Sequence, residues 1–258
     1  MSLAGSPVRP HAATFSRSLR LFRAFLHEQD DPDRFYSTLA SDTVSQLSQW
    51  TALAGTRVLD VGGGPGYFAD AFAAAGARYA GVEPDAGEMT ARGDVAGDSL
   101  RASGLELPIA AGAFDLTLSS NVLEHVPEPE RMADEMVRVT RPGGLVYLSW
   151  TPWLSPWGGH ETAPWHYLGG RRAGDRYARR HGHRPKNDFG HSLFACSASR
   201  MVRWAQVRAA CGLIDPPTVL PRYHPDWAHW MARVPGVREV AAWNVVLVIR
   251  PTAPVIGG

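Results

Sequence analysis

The stretch "RVLDVGGGPGYF", Arg57–Phe68, joins a short apolar run broken by one acid to a cluster of glycines around a proline, followed by the alanine-rich start of a helix. Strand, glycine turn and helix start in that order make a nucleotide-type site. The helix start offers unpaired N–H groups, and glycine lets a ligand approach the backbone. The spacing narrows the ligand. Gly62, Gly64 and Gly66 form a GxGxG pattern, whereas a dinucleotide fingerprint needs its third glycine where Tyr67 stands. Asp60 lies two residues before the first glycine, so a carboxylate would sit close to an anionic pyrophosphate, which argues against NAD or FAD. No Lys followed by Ser or Thr stands in P-loop register. A ligand with a positive centre, an α-amino group and a nucleoside suits the turn better, and S-adenosylmethionine has all three.

Outward from this turn the chain alternates. Strands are predicted at Arg57–Val61, Arg78–Val82, Ser99–Ala102, Phe114–Ser120 and Leu145–Trp150, with helices over Tyr67–Ala75, Pro84–Arg92 and Pro129–Thr140. "RPGG" at Arg141–Gly144 stops the last of these helices. Such alternation implies a mostly parallel sheet with helices on both faces, binding its ligand at the carboxyl ends of the strands. Ahead of it, residues 16–50 carry apolar positions at helical spacing, interrupted near Asp31-Pro32. Behind it, regularity lapses for about fifty residues, a length that in a compact domain marks a functional segment. It resumes with a helix at Ser199–Ala210 and two strands within "TVLPRY" and "AAWNVVLVIRP".

Composition bounds the function. The 258 residues are 45% hydrophobic, enough for one sizeable core. A formal charge of +1 leaves no general excess of basic residues for nucleic acid. Cys196 and Cys211 are too few for a disulfide framework and suit a reducing compartment. No apolar run approaches the ~18 residues that span a bilayer, and the first fifteen residues lack a signal-peptide centre, so a cytoplasmic location is expected.

"VLDVGGGPGYF", "GVEPD", "LELPIAAGAFDLTLSSNVLEHV" and "ADEMVRVTRPGGLVYLSW" together resemble the class I S-adenosylmethionine-dependent methyltransferases, in the subgroup whose third motif reads LP followed by FD. The likeness covers about residues 55–150. It implies an α/β Rossmann-like fold: a mostly parallel seven-stranded sheet with one antiparallel strand, helices on both faces, and a cap inserted after the fifth strand. It implies an N-terminal helical cap over 1–50 and a catalytic unit over 51–258, with the substrate cap at 151–198. Its cofactor would be S-adenosyl-L-methionine. Glu83 would grip the ribose hydroxyls, Pro84 lie against the adenine, and Leu105 flank the ring. Ser103 replaces the Asp that many relatives place against the adenine amino group. Gly62, Gly64 and Gly66 would approach the methionine part, Asp60 would organise the turn, and Asn121 would line the cleft near the methyl group.

The acceptor side has fewer signposts. "TPWLSPWGGHETAPWHYLGG", Thr151–Gly170, is a glycine- and proline-rich aromatic segment that can exclude water and present an imidazole, so His160 and His166 are the candidate catalytic bases. Tyr36, His125 and His191 are further candidates for the cleft. No metal site is expected, because His160 and His166 lack i, i+4 spacing and no cysteine is near. Residues 171–186 carry seven basic residues against Asp175, which reads either as a solvated helix face or as a contact for an anionic acceptor or membrane surface. The expected partner is a small-molecule acceptor methylated at oxygen. Nitrogen acceptors and a binding protein without turnover remain as alternatives; oligomeric state is not legible.

Overall fold

A computed structural model describes residues 11–28 and 30–252. The ends of the two expected units, residues 1–10 and 253–258, lie outside the described residues. The strands β1 (Arg57–Val61), β2 (Arg78–Val82), β3 (Phe114–Ser120), β4 (Thr140–Trp150), β5 (Thr218–Pro221) and β6 (Val245–Ile249) form one sheet in the order β2-β1-β3-β4-β6-β5. The pairs β1–β2, β1–β3 and β3–β4 are parallel, and β6 runs antiparallel to both its neighbours. The sheet has six strands rather than seven. The strand expected at Ser99–Ala102 is reduced to one parallel bridge between Leu100 and Val82. Gly93, Asp94, Gly97 and Asp98 ahead of it are turn formers with no alternating apolar run to extend the ladder.

Period-two patterning assigns the two faces. Val146, Leu148 and Trp150 of β4 pack with Val245, Leu247 and Ile249 of β6 under the helices α5 (Pro129–Val139) and α7 (Ala198–Ala210), through Met132, Met136, Met201 and Trp204. Leu145, Tyr147, Val246 and Val248 face the other way. They join Val44 and Leu47 of α2 (Pro32–Leu47) and Phe72 of α3 (Ala69–Ala74). Each large apolar side chain so buried contributes about 1.5–3 kcal/mol. In front of α2 lies α1 (Phe15–Phe25), which meets it through Leu21, Ala24, Phe35 and Leu39. Asp31 caps α2 by accepting from the Arg34 N–H, with Pro32 in the first turn, which is why the helical pattern breaks there.

The helices near the glycine turn are shorter than expected. The first is α3, and the second is α4 (Ala86–Met89), capped by Asp85. The segment after β4 is less irregular than its sequence suggests. It makes short 3-10 turns at His160–Thr162 and Trp165–Leu168, then α6 (Gly170–His181), whose buried side is Gly170, Ala173 and Gly174. Three small residues give no apolar stripe to read, so the helix is hidden among arginines. Among the described residues, no helix is long and apolar enough to cross a membrane.

Candidate active site

A cavity of about 1200 Å³ opens over the carboxyl ends of β1, β2 and β3. That exceeds the ~300–1,000 Å³ of an ordinary single-ligand pocket, leaving room for a cofactor and a second molecule. Eight of the nine expected cofactor residues line it: Asp60, Gly62, Gly64, Glu83, Pro84, Ser103, Leu105 and Asn121.

The glycine turn is built by backbone. The N–H of Gly62 reaches the Val82 carbonyl at 2.7 Å, and Gly62, Gly64 and Gly66 all take positive φ, at 78°, 51° and 79°. Their surroundings differ. A Cβ on Gly64 would meet nothing within 4 Å, so this is the open side of the cradle, where a ligand can lie on the backbone. A Cβ on Gly66 would meet that of Ala96 at 2.2 Å; this glycine serves packing and does not line the cavity. Glu83, at the end of β2, accepts from the Gly64 N–H at 3.1 Å and from the Asp85 N–H at 3.1 Å. Burial pushes its carboxyl up, and the two backbone donors oppose that. Asp60 is 1% exposed and accepts from the Tyr79 hydroxyl at 2.9 Å. Burial, with Glu83 nearby, pushes it up to about 7 against that hydrogen bond. A cationic ligand would bring the proton off and recover the charge.

Asn121 follows β3 with a φ of 60°. Its Oδ1 accepts from Arg222 Nη1 at 3.2 Å and from Asn244 Nδ2 at 2.9 Å. Arg222 is 1% exposed and also donates to Ser120, Ser149 and Thr43. Its position in "LPRY" at the end of a strand gives no hint of this burial; only the sheet order, which sets β5 two strands from β4, brings it there.

Other parts of the wall are aromatic. Phe25 and Trp157 meet edge to face with centroids 5.0 Å apart, and Trp243 lies against both Phe22 and Trp157. Tyr36 stacks on Tyr67 and donates to Glu28 at 2.9 Å. Beside these apolar groups stand Glu124, His125, His160 and Glu161. Of the two histidines expected as bases, His160 reaches the cavity; His166 does not line it and is buried against Trp153 and Tyr167. The partner of His160 is instead His125, with ring centroids 5.1 Å apart. Burial pushes His160 down to about 3, with His125 and His166 adding to the effect, so its ring is neutral at pH 7. Burial pushes Glu124 up. Tyr36 and His191, named from the sequence, also line the cavity; Glu28 and Trp243 carried no signal, being single residues on distant segments.

The basic run takes an exposed position. Within it, Arg184 pairs with Asp175 and Asp188, Arg176 lies over the Trp165 ring, and Lys186 reaches Glu88. Arg171, Arg172, Arg179 and Arg180 have no ion-pair partner among the described residues, as on a solvated face.

Residues 59–148 match the family described as "Methyltransferase domain". A Mycolicibacterium gilvum protein named "uncharacterized methyltransferase" is 58% identical over 250 residues, covering 93% of this chain and 96% of its own. A protein of the same name from Mycobacterium marinum is 55% identical over 249 residues, with the same coverage of 93% and 96%. In fold the chain is similar to an S-adenosylmethionine-dependent methyltransferase from Mesorhizobium loti, with a TM-score of 0.55 at 19% identity over 82% of this chain and 97% of that one.

Proposed function

This chain belongs to the class I S-adenosylmethionine-dependent methyltransferases, and from that membership we propose that it methylates a hydroxyl of a small, largely apolar molecule held beneath residues 151–198. The observation that carries the reading is the single cavity with two unlike ends. The glycine turn, Glu83 and Leu105 stand at one, and the aromatic wall with Glu124, His125 and His160 at the other.

At the first end Gly62 and Gly64 would receive the methionine part on backbone, Glu83 the ribose hydroxyls, and Pro84, Ser103 and Leu105 the adenine. Bound there, the cofactor supplies an electrophilic methyl group on a sulfonium. Asp60 favours a positive ligand because a cation relieves its buried carboxyl. Asn121, held by Arg222 and Asn244, marks the passage between the ends. At the second end the rings of Phe22, Phe25, Trp157 and Trp243 enclose the apolar body of the acceptor and exclude water. Alignment of nucleophile and methyl in such a site supplies up to ~7–11 kcal/mol. His160, neutral and with its Nε2 buried, orients the acceptor oxygen. Burial pushes His160 down and weakens it as a store for a proton, so beside the general-base role expected from the sequence we assign it a positioning one.

A second reading, transfer to nitrogen, draws on one observation: three carboxylates, Glu28, Glu124 and Glu161, stand at the acceptor end and would suit an amine. One experiment separates the two. The protein is given methyl-labelled S-adenosylmethionine and an extract of its source cells, and the label is extracted into organic solvent at pH 2 and at pH 11. Label extracted at both pH values supports an O-methyl product, label extracted only at pH 11 supports an amine, and no enzyme-dependent label contradicts both.

A further inference from the structure

We propose that Glu124, His125 and His160 hold a divalent first-row transition-metal ion at the acceptor end of the cavity. The proposal rests on the reading of that cavity given above and names how its acceptor end works.

Four observations converge. One donor atom from each of the three residues lies within 4.8 Å of the others. Glu124 is 1% exposed; its Oε1 accepts from the Thr151 N–H at 2.9 Å, while its Oε2 is buried with no partner. A buried carboxylate oxygen left unpaired is costly, which points to a cation as its missing partner. His125 sets its Nδ1 against the Ser192 carbonyl at 2.7 Å, so Nδ1 carries the hydrogen and Nε2 presents a lone pair. Metal-ligating histidines are oriented by this kind of outer contact. His160 completes the set with a buried, unpartnered Nε2.

The surrounding charge agrees. Several acids on other faces have arginine partners: Asp115 has Arg57 and Arg141, Asp134 has Arg208, and Glu130 has Arg200. Among the described residues no lysine or arginine pairs with Glu28, Glu124 or Glu161. Burial pushes Glu28 up, and the nearby Glu161 and Glu124 carboxylates push the same way, against the Tyr36 hydrogen bond and His125.

The donor set selects the ion. Two imidazoles and one carboxylate suit zinc, iron(II) or manganese better than magnesium, which prefers oxygen and water. Bonds of about 2.0–2.2 Å place tetrahedral donors ~3.4 Å apart, so the side chains have to draw in by roughly an ångström. Three protein ligands leave at least one position open, as in catalytic rather than structural sites. That position faces the cavity and takes an acceptor oxygen, so the acceptor is a molecule that presents a hydroxyl or phenol to the ion. In the sequence His160 and His166 lack the spacing of a metal-ligand pair; the fold pairs His160 instead with a residue thirty-five positions earlier.

The test uses the full-length protein freed of metal by a chelator and then titrated with Co²⁺, read by its visible absorption, alongside a calorimetric titration with S-adenosylmethionine. The expected result is one equivalent of Co²⁺ with ligand-field bands. Loss of an outer-shell partner alone typically costs 10–100-fold in metal affinity, so Glu124→Gln and His160→Ala should each weaken binding by more than ~100-fold. Both variants should bind the cofactor as the wild type does, which shows that they are folded. Absence of a bound equivalent in the wild type, or binding unchanged in a folded variant, overturns the proposal. If either variant is unfolded, His125→Gln takes its place under the same criteria. Cofactor binding without Co²⁺ removes only the metal site, whereas failure of the wild type to bind the cofactor removes the reading of the cavity itself.

Discussion

The two ends of the cavity are made of different material. The end assigned to the cofactor is assembled from contiguous sequence: Asp60–Pro65 and Glu83–Asp85, a strand end and a turn apiece, with Ser103–Leu105 and Asn121 close behind. Its contacts are largely backbone. The acceptor end gathers side chains from α1, from the turn after β3, from residues 157–161 and from the segment before β6. A site built from backbone geometry leaves a local signature of glycines and strand ends. One built by bringing distant side chains together leaves none until the chain is folded.

Substitutions at the cofactor end should divide fold from binding. The largest effect is expected at Gly66→Ala. Its φ of 79° and the approach to Ala96 at 2.2 Å combine left-handed strain with overpacking. The expected loss is about 2–5 kcal/mol in urea unfolding. Gly64→Ala should cost only the left-handed strain, about 1–2 kcal/mol, and lose its cofactor affinity instead. Equal stability losses in the two would erase the distinction between a packing glycine and a cradle glycine.

At the acceptor end, His160→Ala is expected to lower methyl transfer about 10²-fold or more, while calorimetry finds cofactor affinity within twofold of wild type. A matching loss of affinity would merge the two ends into one. Glu83→Ala is the converse. Each hydrogen bond to a charged acceptor contributes roughly 1.5–3 kcal/mol, so cofactor affinity should fall at least tenfold with the fold intact. Unchanged affinity would remove Glu83 from the ribose.

The smallest effect is electrostatic. Asp60 titrates at about 7 in the folded protein, above the ~3.9 of an unfolded chain. Between those values the folded state holds the extra proton, so this group's contribution to stability falls as pH rises from about 4 to about 7. Buried histidines such as His160 act in the opposite sense, because their folded pKa is depressed. The informative quantity is therefore the difference between wild type and Asp60→Asn in unfolding midpoint at pH 5 and pH 7.5. The wild type should lose stability relative to the variant on going to the higher pH; parallel curves would contradict the assignment.

The same contrast explains what could be read beforehand. The strand–helix alternation and the glycine turn are legible because apolar alternation, glycine spacing and strand ends are local, and eight of the nine residues expected at the cofactor line the cavity. Gly66 looked like its neighbours, and only the position of Ala96 separates it from them. The strand expected at Ser99–Ala102 rests on a short apolar pair, which the fold uses for a single bridge. His166 was indistinguishable from His160 in a loop without periodicity. The grouping of Glu124 and His125 with His160, and of Arg222 with Asn121, depends on chain crossings that no local pattern encodes.

The central claim is that one cavity divides its work between a backbone cradle and a side-chain cluster. The most direct test gives wild type and His160→Ala the same methyl-labelled S-adenosylmethionine and source-cell extract, with cofactor affinity measured in parallel. The account predicts organic-extractable label from the wild type, nearly none from the variant, and equal affinity in both. Equal labelling by the two proteins, or affinity lost together with labelling, would contradict it.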